Sequence, residues 1–129
     1  RWGVRWVKRF VVDCRAVNSF DDFVNAMNQD FIRLLGGEWD GNLDAFNDYL
    51  KWPNDEYQLE IVGSARCADA LGYEATAAWL RNKLLTCHPS NVANVRKDLA
   101  AAEDASGKTL FDVIREIMGA DACAHVILS

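Results

Sequence analysis

Proline and histidine are both scarce in this chain, two of each in 129 residues. With so little proline, no stretch reads as a stiff linker, and nothing of low complexity divides the chain. The four cysteines, Cys14, Cys67, Cys87 and Cys123, include no Cys-x-x-Cys pair. Zinc sites need tight ligand spacing and small secreted scaffolds are denser in cysteine, so four reduced, mostly buried thiols are expected. His88, between Cys87 and Pro89, and His125, in an apolar tail, lack a second ligand at metal spacing. A structural role is the expectation for both, with no metal and no cofactor. No apolar run nears the roughly 20 residues of a membrane span. Residues 1–10 are basic and broken by charges, without the apolar core of a signal peptide. The chain opens on arginine rather than methionine, which leaves the natural N-terminus open. A compact cytoplasmic domain, monomeric when free and without a membrane partner, is expected.

Half of the residues are hydrophobic, enough for one core of ordinary size and too many for a disordered chain. The net charge of -5 is unevenly spread. Residues 1–15 carry +4, residues 16–60 carry -8, and residues 61–129 carry -1. An acidic middle third repels nucleic-acid phosphates, so a cationic protein partner is expected and nucleic acid is not. A merely solvated acidic face fits the same numbers.

Apolar alternation over residues 4–13 predicts a strand through Val4, Trp6, Phe10 and Val12. Ser19 can cap a helix with the stripe Phe20, Phe23, Val24, Met27, Phe31, Leu34 and Leu35, ended by Gly36 and Gly37. Residues 57–62 alternate and predict a second strand. Residues 68–86 read as one helix through Leu71, Ala75, Ala78, Trp79, Leu84 and Leu85. Ser90 can cap the next, which carries Val92, Val95 and Leu99. Thr109 can cap a last helix ended by Gly119, and residues 124–128 read as a final strand. Strands separated by helices favour parallel pairing. The expectation is an α/β fold, a small three-stranded parallel sheet covered by helices, in one domain with a longer helical segment at about 64–106.

The functional signal lies in residues 36–53. Asn42 is a natural N-cap, Leu43, Phe46 and Leu50 form a buried stripe, and Trp52-Pro53 ends the helix. Asp44 and Asp48 stand one turn apart on one side, with Asp40 just before them. Like charges at that spacing cost a few tenths of a kcal/mol, and position 52, four residues beyond Asp48, offers no base. Trp39 and Trp52 bracket the acids, so carboxylates flanked by aromatic anchors suit an interface for arginine and lysine. The ordinary alternative is a solvated helix face with both tryptophans turned inward.

The run Gly41-Asn42-Leu43-Asp44-Ala45-Phe46-Asn47-Asp48-Tyr49-Leu50 resembles the signature of the barstar family, cytosolic inhibitors of barnase-like ribonucleases. Residues 113–116 and 126–129 resemble that family's last helix and strand. The resemblance implies a three-stranded parallel sheet, no catalysis, and inhibition by plugging a basic ribonuclease or cognate toxin. It implies that Asp44 and Asp48 face the enzyme's cationic catalytic groups in place of phosphates. Asp40, Gly41 and Asn42 would form the approaching loop, and Ala45 would allow close packing. The chain departs from the family at Asp40, Asn47 and Lys51, and Lys108 falls near a family glutamate. Residues 63–107 have no counterpart of that length. The other reading is an interaction module of the same fold whose partner is not a ribonuclease, with 63–107 as the binding surface.

Residues 102–109 fit a relaxed phosphate-loop pattern, but the preceding stretch reads as helix, and Glu103 and Asp104 would repel phosphate. Asp44 with Asp48 as an acid–base pair would need a concave site that one helix face does not supply. No Ser-His-Asp or Cys-His arrangement is legible, so no enzymatic activity is expected.

Overall fold

The computed structural model describes residues 7–129. Its centre is a three-stranded parallel sheet in the order β1 (Lys8–Asp13), β2 (Tyr57–Val62) and β3 (Ala124–Leu128). Phe10 pairs with Leu59 and Leu59 with Val126, while Val12 pairs with Ile61. Side chains alternate along a strand, so these residues share one face, and that face carries the core. The opposite face holds Arg9, Val11, Glu60 and Ile127, with Arg9 and Glu60 ion-paired across it. The predicted α/β architecture is present. Val4 and Trp6 of the predicted first strand lie outside the described residues.

Six α-helices connect the strands: α1 (Phe20–Met27), α2 (Leu43–Tyr49), α3 (Ser64–Ala70), α4 (Tyr73–Thr86), α5 (Val92–Glu103) and α6 (Leu110–Ala120). Ser19 caps α1 by accepting from the Asp22 N–H, and Thr109 and Asp112 form a reciprocal capping box on α6. None of the described helices is long and apolar enough to cross a membrane.

Three local readings need correction. The stripe from Phe20 to Leu35 is not one α-helix: after Met27 the chain widens into a π turn (Asn28–Ile32) and then tightens into a 3₁₀ turn (Arg33–Leu35). This change of winding puts Asn28, Phe31 and Ile32 inside and leaves Leu34 67% exposed. The helix over 68–86 is two helices broken at Leu71 and Gly72. There the Gly72 carbonyl turns to the Thr76 N–H and hydroxyl, and Thr76, Ala77 and Leu80 take the buried positions. Ser90 does not cap α5: the chain first makes a 3₁₀ turn (Pro89–Asn91) capped by His88, whose Nδ1 accepts from the Ser90 N–H at 3.1 Å, and α5 follows from Asn91 without a side-chain cap bond.

α4 and α5 pack on each other as a hairpin with its own small core of Ala77, Leu80, Val95 and Ala102. The start of α6 is tied to that region. Its Leu110 N–H donates to the Thr76 hydroxyl, and its Phe111 N–H to the Leu71 carbonyl. Thus the helical segment is fastened to the last helix on one side of the molecule.

Candidate functional site

The loop before α2 is set by a buried amide. Asn28, 2% exposed, donates from Nδ2 to the Trp39 carbonyl at 2.8 Å and accepts from the Trp39 N–H through Oδ1 at 2.7 Å. A side-chain amide is one of few groups that can satisfy both backbone polar groups of a single residue. Trp39 is thereby held in the core, 2% exposed, with its ring 4.9 Å from Phe46 and edge-on to Phe20 and Phe23. Its indole N–H donates to the Asn42 carbonyl at 2.7 Å. The Asn42 side chain accepts from the Ala45 N–H at 2.9 Å, the predicted N-cap. Trp39 therefore supports the helix start from beneath and does not stand at the surface as a flanking anchor.

Between these residues the chain makes a tight turn. Asp40 accepts from the Asn42 N–H at 3.0 Å, and Gly41 sits at φ +97°, a conformation that favours glycine. A Cβ on Gly41 would also meet Phe20 at 3.3 Å. One Asp40 oxygen is thus committed to its own loop.

α2 buries Phe46, with Leu50 completely inside at its end, and Ala45 is half-buried. The opposite side is different. Asp44 and Asp48 are both exposed, and neither is in an ion pair with any described residue. Lys51 donates to the Asn47 side chain at 3.1 Å rather than to a carboxylate. Asp44 lies in the first turn, where the helix dipole favours an anion, while Asp48 gains little from it.

The far end of α2 is closed by aromatics. Tyr49 donates its hydroxyl to the Glu38 carbonyl at 2.8 Å, joining the entering loop to the helix end. Gly37 makes room for that ring, since a Cβ there would lie 2.4 Å from Tyr49 Cε1. Glu38 is itself held by a two-pronged ion pair with Arg33 at 2.7 and 2.9 Å, which lowers its carboxyl below the usual range. Trp52, 49% exposed, packs on Tyr49 at 4.7 Å. Of the two tryptophans, Trp52 alone is available at the surface.

The sequence-predicted positions Asp40, Gly41, Asn42, Asp44, Ala45, Asp48 and Trp52 therefore share one loop-and-helix unit, with Trp39 below it. Asn28 was missed by the sequence reading. An asparagine on the expected apolar stripe, one residue after Met27, was the available signal. Lys108 is engaged within its own chain, 2.7 Å from Glu116, which raises its pKa. Recesses of about 360 and 210 Å³ lie elsewhere, lined by α4–α5 residues and by the turn after β1. Neither is lined by α2. No group of three or more metal-ligating side chains is found among the described residues. Residues 102–109 run from the end of α5 through Ala105 and Gly107, both left-handed, with the Gly107 carbonyl taken by the Tyr73 hydroxyl.

Comparison with family models, with curated proteins and with solved structures finds no match to this chain.

Proposed function

We propose that this chain is a barstar-like protein inhibitor of a basic, barnase-type ribonuclease or cognate toxin, acting through the outward face of α2. The observation that carries the reading is the pair Asp44 and Asp48, exposed one turn apart and without an internal counter-charge among the described residues. Evenly dispersed surface charge normally includes i,i+4 partners of opposite sign. Here the two carboxylates remain available to cations of another molecule, on a helix whose start and end are fixed by the Trp39–Asn42 and Tyr49–Glu38 bonds.

The mechanism follows from that placement. A ribonuclease gathers arginine, lysine and histidine around the phosphates of its substrate. Two carboxylates one turn apart on a helix held at both ends take those cations and exclude RNA with little reorganisation. Asp40, Gly41 and Asn42 shape the approaching loop, the small Ala45 side chain allows close packing, and Trp52 offers an exposed aromatic surface just beyond the end of α2. Trp39 acts from below by holding the Asn42 carbonyl. The protein performs no catalysis in this scheme and uses no cofactor.

The test is titration of the chain into an RNA-cleavage assay with a barnase-type enzyme, or with a basic toxin encoded beside it. Cleavage should stop near one inhibitor per enzyme. Full activity at a large excess of the chain, against every such enzyme, contradicts the reading.

One observation favours a second reading, a module of the same fold with a non-ribonuclease partner. The α4–α5 hairpin carries its own core and leaves Leu85 83% exposed near the end of α4. In that case Leu85→Ser abolishes partner capture while Asp44 and Asp48 substitutions leave it intact.

A further inference from the structure

Cys14 and Cys67 belong to neither the acidic face nor a metal cluster, yet both are completely buried. Chain geometry brings them together. Cys14 follows the last residue of β1, and its N–H donates to the Val62 carbonyl at 2.8 Å, so it lies beside the end of β2. Strand alternation places it on the same inner face as Val12, also completely buried. Cys67 stands on the first turn of α3, its N–H donating to the Gly63 carbonyl at 3.1 Å. One thiol thus lies at the strand end and the other on the helical turn that springs from the residue after Val62. Both belong to one continuous core.

Interaction with the Cys67 thiol lowers the pKa of Cys14, while the same contact and burial raise that of Cys67. A recess of about 210 Å³ lies between the turn after β1 and α1, lined by Asp13, Ala16 and Val17 on one side and by Asp22, Asn25 and Ala26 on the other.

We propose that Cys14 and Cys67 are a redox pair that closes to an intramolecular disulfide on reaction with hydrogen peroxide. The Cys14 sulfur attacks one peroxide oxygen and the O–O bond breaks. Cys14 becomes a sulfenic acid, and the departing oxygen leaves as water with the proton lost from that thiol. The Cys67 sulfur then attacks the Cys14 sulfur, the S–S bond forms and the S–O bond breaks. The hydroxide leaves as a second water, taking the Cys67 proton. Two thiols lose two electrons, and one peroxide is reduced to two waters. The product ties the end of β1 to α3 and closes a loop through α1, α2 and β2.

The experiment treats the native protein with hydrogen peroxide, blocks the remaining thiols by alkylation and maps the cross-links by proteolysis and mass spectrometry. The expected result is loss of two hydrogens, with the peptides of Cys14 and Cys67 joined and Cys87 and Cys123 alkylated. The oxidised protein should melt several degrees higher, and dithiothreitol should reverse the shift. In Cys67→Ala the second step is blocked, and Cys14 should stop at oxygen addition. A cross-link to Cys87 or Cys123, oxygen addition at Cys14 without the cross-link, or both thiols surviving while Cys87 and Cys123 oxidise would each overturn the proposal. The map of the unmutated protein decides the matter even if Cys67→Ala fails to fold.

Discussion

Replacing Asn28 with alanine should destabilise the fold by about 3 kcal/mol, since it strands the Trp39 N–H and carbonyl in the core. Urea unfolding measures that loss, and Trp39 fluorescence should report loosening of the loop. Asp44 and Asp48 behave in the opposite way. Exposed and without an ion pair among the described residues, they contribute nothing to packing, so neutralising Asp48, which gains little from the helix dipole, should leave the melting temperature unchanged or slightly raised as like-charge repulsion is relieved. Asp13 shows what a satisfied surface carboxylate looks like here. Arg15 bonds to it at 2.9 and 3.0 Å and lowers its pKa from 3.8 to about 2. The contribution of that pair is complete above the ordinary carboxylate value and disappears as pH falls through about 2. A carbon-detected NMR titration should place the Asp13 midpoint there, and Arg15→Gln should return it toward the ordinary value.

Among the elements, α2 is short, seven residues, and depends on its ends. Gly37→Ala forces a Cβ into the Tyr49 ring, so the Tyr49–Glu38 bond should break and stability fall by roughly 1–3 kcal/mol, read by thermal unfolding. Most of the elements were legible from local signals. Ser19, Asn42 and Thr109 announced their helices because a short polar side chain can satisfy orphan N–H groups from a fixed position in the chain. The strands showed because each has one buried face. What could not be read was winding and orientation. The π turn at Asn28–Ile32 begins at the buried amide that meets the Trp39 backbone eleven residues away, a tertiary pairing invisible to periodicity. The burial of Trp39 and exposure of Trp52 have the same origin. An indole beside Phe20, Phe23 and Phe46 is enclosed, while one beyond the helix end rests on a single Tyr49. The loop, the cap and the outward side of the two acids were therefore legible in the sequence; which tryptophan stays at the surface was not.

Across the molecule, charge is segregated: the acidic middle third of the sequence builds the loop and α2, while the basic beginning contributes to β1 at the sheet edge. Exposed unpaired charge acts at a distance, within about 10 Å at 0.1 M salt. If α2 is steered to a cationic cleft, the association rate should fall steeply with added salt while dissociation changes little, which stopped-flow mixing can resolve.

The most direct measurement compares the unmodified chain with Asp48→Asn for affinity toward one barnase-type ribonuclease, at fixed salt and with the melting curves of both chains recorded. Asparagine keeps the shape and removes only the charge. With α2 seated among the enzyme's arginines, Asp48→Asn should melt like the parent and bind about a hundredfold more weakly or worse. Equal affinity of the two chains would contradict the role given to α2.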